Sequence, residues 1–82
     1  MPEIDRYLIA LGRLLNASDS TRVSMTQLAD ALGTDAREVK RIAPRLRDAG
    51  WIFRTADPDE PLGLNAMGWK HFTRLTGEAK AE

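Results

Sequence analysis

The sequence predicts a mainly α-helical domain carrying a small β-hairpin, in the order α-β-α-α-β-β-α. Three observations carry that expectation. Apolar residues recur at helical spacing in separate stretches, and capping residues and glycines sit where those stretches start and stop. One aromatic and β-branched run, Trp51-Ile52-Phe53-Arg54-Thr55, interrupts the helical pattern. A chain of 82 residues is expected to make a single domain, over residues 1–77, with 78–82 a flexible tail. A domain of this size buries about 60–65% of its unfolded surface, enough for one modest core and not for a deep walled cleft.

The first helix is expected over residues 3–16, where Ile4, Leu8, Leu11 and Leu15 form one stripe. Pro2 suits its approach, and Glu3 and Asp5 favour the positive end of the helix dipole. Residues 16–21 are rich in Ser, Asp, Asn and Thr and read as a loop. Val23-Ser24-Met25 alternates and predicts a strand stub. Thr26 reads as the N-cap of a short helix over 27–32, with Leu28, Ala29 and Leu32 inward and Gly33 as its left-handed stop.

Asp35 followed by Glu38 has capping-box spacing, so the next helix is expected over residues 35–49. On a helical wheel Val39, Ile42, Ala43, Leu46 and Ala49 share one face. Arg37, Arg41, Pro44 and Asp48 lie opposite, with Lys40 and Arg45 on the flanks. Pro44 deletes a backbone bond to the Lys40 carbonyl, which leaves a bend or a break. The run 51–55 is expected to pair through a turn at Asp57-Pro58-Asp59-Glu60-Pro61 with a return strand, Leu62-Gly63-Leu64. Asn65 then caps a last helix holding Trp69, Phe72 and Leu75, and Gly77 ends it.

The residues that carry this order resemble a known family. Gln27-Leu28-Ala29-Asp30-Ala31-Leu32-Gly33 is similar to the first helix and turn of winged helix-turn-helix domains, as in MarR- and ArsR-type regulators and small phage or plasmid proteins. Residues 35–50, running into Trp51-Ile52, resemble the recognition helix and first wing strand. Leu64-Asn65-Ala66-Met67-Gly68-Trp69 resembles the step from wing to last helix. The resemblance covers roughly residues 23–75. It implies double-stranded DNA binding and transcriptional regulation, with helix 35–49 in the major groove.

Charge bears on that function. Twelve Lys and Arg oppose twelve Asp and Glu, a formal net of zero that excludes a histone-like polycation and an acidic tail. The charge is nevertheless segregated. Residues 34–54 hold Arg37, Lys40, Arg41, Arg45, Arg47 and Arg54 against Asp35, Glu38 and Asp48, a net of +3. Residues 1–33 sum to −1 and residues 55–82 to −2. Arg37 and Arg41 are the expected base readers, since an arginine fork matches guanine O6 and N7. Lys40, Arg45 and Arg54 suit phosphates, as do Ser24, Thr26 and Gln27 at the start of the preceding helix. The wing tip, with Asp57, Asp59 and Glu60, would repel a duplex and is instead a candidate protein contact.

Other chemistry finds little support. There is no cysteine and a single histidine, His71, placed between Trp69 and Phe72 where packing is the expected role. No phosphate-loop or EF-hand pattern occurs, so no cofactor, metal site or enzymatic activity is expected. Without an apolar run of membrane length or a basic leader, the expected compartment is the cytoplasm. Trp69 and Phe72 are expected to seal the last helix onto the core, or to form a homodimer face with Leu8, Leu11 and Leu15. The rival function is a winged-helix protein-interaction module, an adaptor or inhibitor without DNA binding of its own.

Overall fold

The computed structural model describes residues 1–54 and 61–81. Its elements are four helices: α1 (Glu3–Ser18), α2 (Met25–Leu32), α3 (Ala36–Asp48) and α4 (Ala66–Thr76). α1 starts after Pro2 with no side-chain cap, and its first turn holds Glu3 and Asp5. α2 is capped by Ser24, not Thr26. The Ser24 hydroxyl accepts from the Gln27 amide at 3.1 Å and the Gln27 side chain accepts from the Ser24 amide at 2.9 Å. The reciprocal box needs Gln or Glu three residues after the cap; Ser24 has Gln27 there, whereas Thr26 has Ala29.

Gly33 then turns the chain with φ 71°, a left-handed conformation that a Cβ would disfavour. Asp35 caps α3 by accepting from the Glu38 amide at 2.9 Å. Only that half of the expected box forms, because the Glu38 carboxylate turns to Arg41 instead. α3 continues through Pro44 without interruption, so the proline is housed within one helix. It occupies the exposed face, where the missing bond and the ring's bulk meet solvent and not the core.

No strand forms among the described residues, which overturns both the expected β-hairpin and the resemblance to winged helix-turn-helix domains. Two isolated antiparallel bridges, Val23 with Leu62 and Ile52 with Leu64, stand where the stub and hairpin were expected. The physical reason lies in the return segment. Pro61 has no N–H to donate, and α4 begins at Ala66, so only residues 62–65 are left to pair. Phe53 donates to the Gly63 carbonyl at 3.1 Å and Asn65 to the Trp51 carbonyl at 3.0 Å. Those bonds are too few for a ladder. The turn expected at 57–61 and the end of the 51–55 run fall largely on residues 55–60, outside the described residues.

The core gathers Leu8, Leu11 and Leu15 of α1, Leu28 of α2, Val39, Ile42 and Leu46 of α3, and Phe72 of α4, under Ile52, Leu62 and Leu64. No polar or charged residue is buried among the described residues. Leu8, Leu11, Leu15 and Phe72 are therefore spent within one chain, and a homodimer on α1 and α4 would have to use their outer faces. Gly12 is what lets α1 and α4 approach: a Cβ there would run into the Phe72 ring. Beyond Gly77, Glu78 pairs with Arg13 at 2.8 Å, and Asn16 binds the Ala79 carbonyl and the Ala81 amide.

Gly12→Ala is expected to destabilise the fold by about 1–3 kcal/mol, overpacking outweighing the roughly 1 kcal/mol gained in helix propensity. Placing Leu at position 72 removes the ring edge and should make the second substitution markedly less costly. Urea unfolding of the two single variants and the double variant measures that coupling.

Candidate nucleic-acid interface

The turn at residues 33–35 sets α3 against α2, and α3 buries only Val39, Ile42, Ala43 and Leu46. Arg37, Lys40, Arg41, Pro44 and Arg45 are all exposed. The periodicity explains this separation: apolar residues at positions 39, 42, 43 and 46 fall within one side of the wheel and leave the cations elsewhere. The other end of α3 is located by Asn65. Its side-chain amide donates to the Gly50 carbonyl at 2.8 Å and the Ile52 carbonyl at 3.4 Å, while its oxygen accepts from the Gly68 amide at 2.8 Å. One residue thus caps α4 and holds the chain leaving α3.

The expected cations do not form one uniform row. Arg41 donates from Nε to Glu38 at 2.8 Å, and its Nη2 also binds Glu38. The same Nη2 lies 3.4 Å from a Glu3 oxygen, and Arg45 Nη1 lies 3.2 Å from the other. The hydrogen bond it donates to Glu38 is the main reason that the Arg41 guanidinium is held above its ordinary pKa. Nearby Tyr7 is pushed up as well, first by burial and then by the Glu38 and Glu3 carboxylates. Among the described residues Arg37 has no carboxylate within ion-pair distance. The two expected base readers are thus unequal: Arg37 is open, and Arg41 is braced.

Ser24 and Gln27 are committed to each other as caps, which leaves the hydroxyl hydrogen and the amide NH2 as their remaining donors. Thr26 and Arg54 are exposed. Two contacts lie outside the sequence expectations. As a sequence feature Glu3 is a helix-dipole residue, and nothing local reveals that the fold brings Arg41, 38 residues away, to it. Arg22 lies with its guanidinium 5.1 Å from the centre of the exposed Phe53 ring. Its place just ahead of the Ser24 cap was the available signal.

The remaining aromatic groups serve packing. Trp51 stacks on His71 with ring centres 4.3 Å apart, and His71 Nε2 sits 3.4 Å from Asp5. Trp69 meets Phe72 edge-on at 5.4 Å. Among the described residues no group of three or more His, Asp or Glu could hold a metal ion. A groove of about 530 Å³ between α1 and α2 is lined by Ile9, Ala10, Leu14 and Leu32 together with Arg6 and Arg13. No helix among the described residues is long and apolar enough to cross a membrane.

The class these features define is a small four-helix domain with an exposed, arginine-bearing third helix. The chain matches no protein-family model, no curated protein and no solved structure in the comparisons made with each.

Asn65→Ala removes the α4 cap and both bonds to the end of α3. It is expected to cost about 1–3 kcal/mol, read as a lowered urea midpoint. Asn65→Asp, which keeps the cap and loses the donor, should recover part of that loss.

Proposed function

We propose that the chain binds double-stranded DNA by laying α3 in the major groove. The observation that carries this reading is the exposed cationic face of α3, which the short turn at Gly33 and the Asn65 clamp hold clear of the core. An isolated α-helix fits the major groove, and its outward side chains meet base edges. Arg37, with no carboxylate competing for it among the described residues, is the leading base reader; Arg41 is the second. Lys40, Arg45 and Arg54 contact phosphates. Ser24, Thr26 and Gln27 add donors at the start of α2, where the helix dipole favours an anion. A role in transcriptional regulation goes with sequence-selective binding.

A second reading is a protein-interaction module without DNA binding. The apolar groove between α1 and α2 favours it, as does the pairing of Arg41 and Arg45 with Glu3.

Selection from random duplex DNA, followed by a salt titration on the selected site, separates the two. A DNA binder loses affinity steeply as salt rises, because each neutralised phosphate releases counterions. The double variant Arg37→Ala, Arg41→Ala should keep the wild-type melting curve and lose about tenfold or more in affinity for the selected site. No duplex binding by the wild type at about 50 mM salt would overturn the DNA reading and leave the interaction module.

A further inference from the structure

We infer that Glu3 is a selectivity-determining residue of the α3 surface, one that suppresses binding to DNA of arbitrary sequence. This inference rests on the DNA reading. Glu3 stands in the first turn of α1, yet its two oxygens reach Arg41 at 3.4 Å and Arg45 at 3.2 Å. Glu38 holds the same guanidinium of Arg41 from within α3. Two carboxylates and two guanidinium groups thus make an electrically balanced cluster within the face that would meet the duplex.

The cluster treats the two kinds of DNA contact differently. A phosphate carries a full negative charge, so Glu3 repels it and offsets the attraction of Arg41 and Arg45 for it. Guanine O6 and N7 are neutral acceptors. An arginine can donate to them with its remaining N–H groups while keeping its carboxylate, and Arg41 Nη1 makes no hydrogen bond to a described residue. Glu3 therefore costs generic backbone binding more than it costs base reading. Arg37 is outside the cluster and gives no such discrimination.

The geometry of α1 makes Glu3 suited to this role. Tyr7, one turn further along α1, is buried in the core, which ties the first turn of α1 to the body of the domain. Unlike Glu38, Glu3 is not part of α3, so its removal leaves the composition and capping of the DNA-facing helix unchanged. Glu78 supplies a control of equal charge: it binds a different guanidinium, Arg13, through two hydrogen bonds at 3.1 and 2.8 Å.

The test compares Glu3→Gln with Glu78→Gln and the wild type on a mixed-sequence duplex of roughly 20 base pairs, by fluorescence anisotropy across a salt series. Glu3→Gln should bind this generic duplex about five- to tenfold more tightly at low salt. Its dependence of log affinity on log salt should steepen by about one to two, as one or both freed cations take a phosphate. Its preference for a selected site over the generic duplex should fall accordingly. Glu78→Gln should stay within about twofold of the wild type, the small change that one distant charge makes through a screened field. Melting curves of both variants establish that the fold is intact. Binding by the wild type with superposable curves for the two glutamine variants would overturn this inference while leaving the DNA reading in place. Weaker generic binding by Glu3→Gln would overturn it too, since Glu3 would then act as a brace that aids contact. No duplex binding by any of the three overturns the DNA reading, and this inference with it.

Discussion

The arrangement of the domain depends on Asn65. A side chain with one acceptor and one donor group is used at both ends: the oxygen closes the first turn of α4, and the nitrogen holds the carbonyls that follow α3. The end carbonyls of α3 are taken by the amides of Ala49, Gly50 and Trp51, and Asn65 holds the two carbonyls just beyond them, which fixes how the chain leaves. The consequence is mechanical. The direction of α3 is tied to the direction of α4, and α4 is pinned to α1 by Phe72 against Gly12. Gly68 contributes to the same joint, because a Cβ at that position would meet the Trp51 carbonyl.

Much of the helical framework was legible in the sequence because its signals are local. Asp35, Asn65, Gly33 and Gly77 each act within a few residues, and each starts or stops a helix where its chemistry says it should. The apolar faces of residues 4–15 and 39–46 followed from spacing alone. The hairpin was misread for an equally local reason. β-branched and aromatic composition at 51–55 reports burial against neighbours as much as strand pairing. Here Ile52, Leu62 and Leu64 are buried. They satisfy the core with single bridges, and α4 begins directly after Asn65, before a ladder can extend.

The candidate interface was legible in composition but not in pairing. Six cations in residues 34–54 stand out from a neutral chain, and the helical wheel places most of them away from the core. What a wheel cannot supply is the neighbour that arrives from another helix. Glu3 reaches α3 only because α1 and α3 pack on a common core, and that contact gives Arg45 a carboxylate partner and Arg41 a second one beside Glu38. Net charge by segment therefore overstates how much of the +3 is available to a ligand.

The isolated bridges have a consequence for solubility. An open sheet edge presents a row of unpaired N–H and C=O groups that can template the addition of a strand from another molecule. Pairing at Val23–Leu62 and Ile52–Leu64 amounts to two separated stitches, with the buried leucines turned inward and Gly63 pressed against the Thr21 carbonyl. Among the described residues there is no long, flat backbone edge of that kind. A chain whose charges cancel lacks the mutual repulsion that keeps many small proteins apart; among the described residues the backbone itself offers little to which a second molecule could zip.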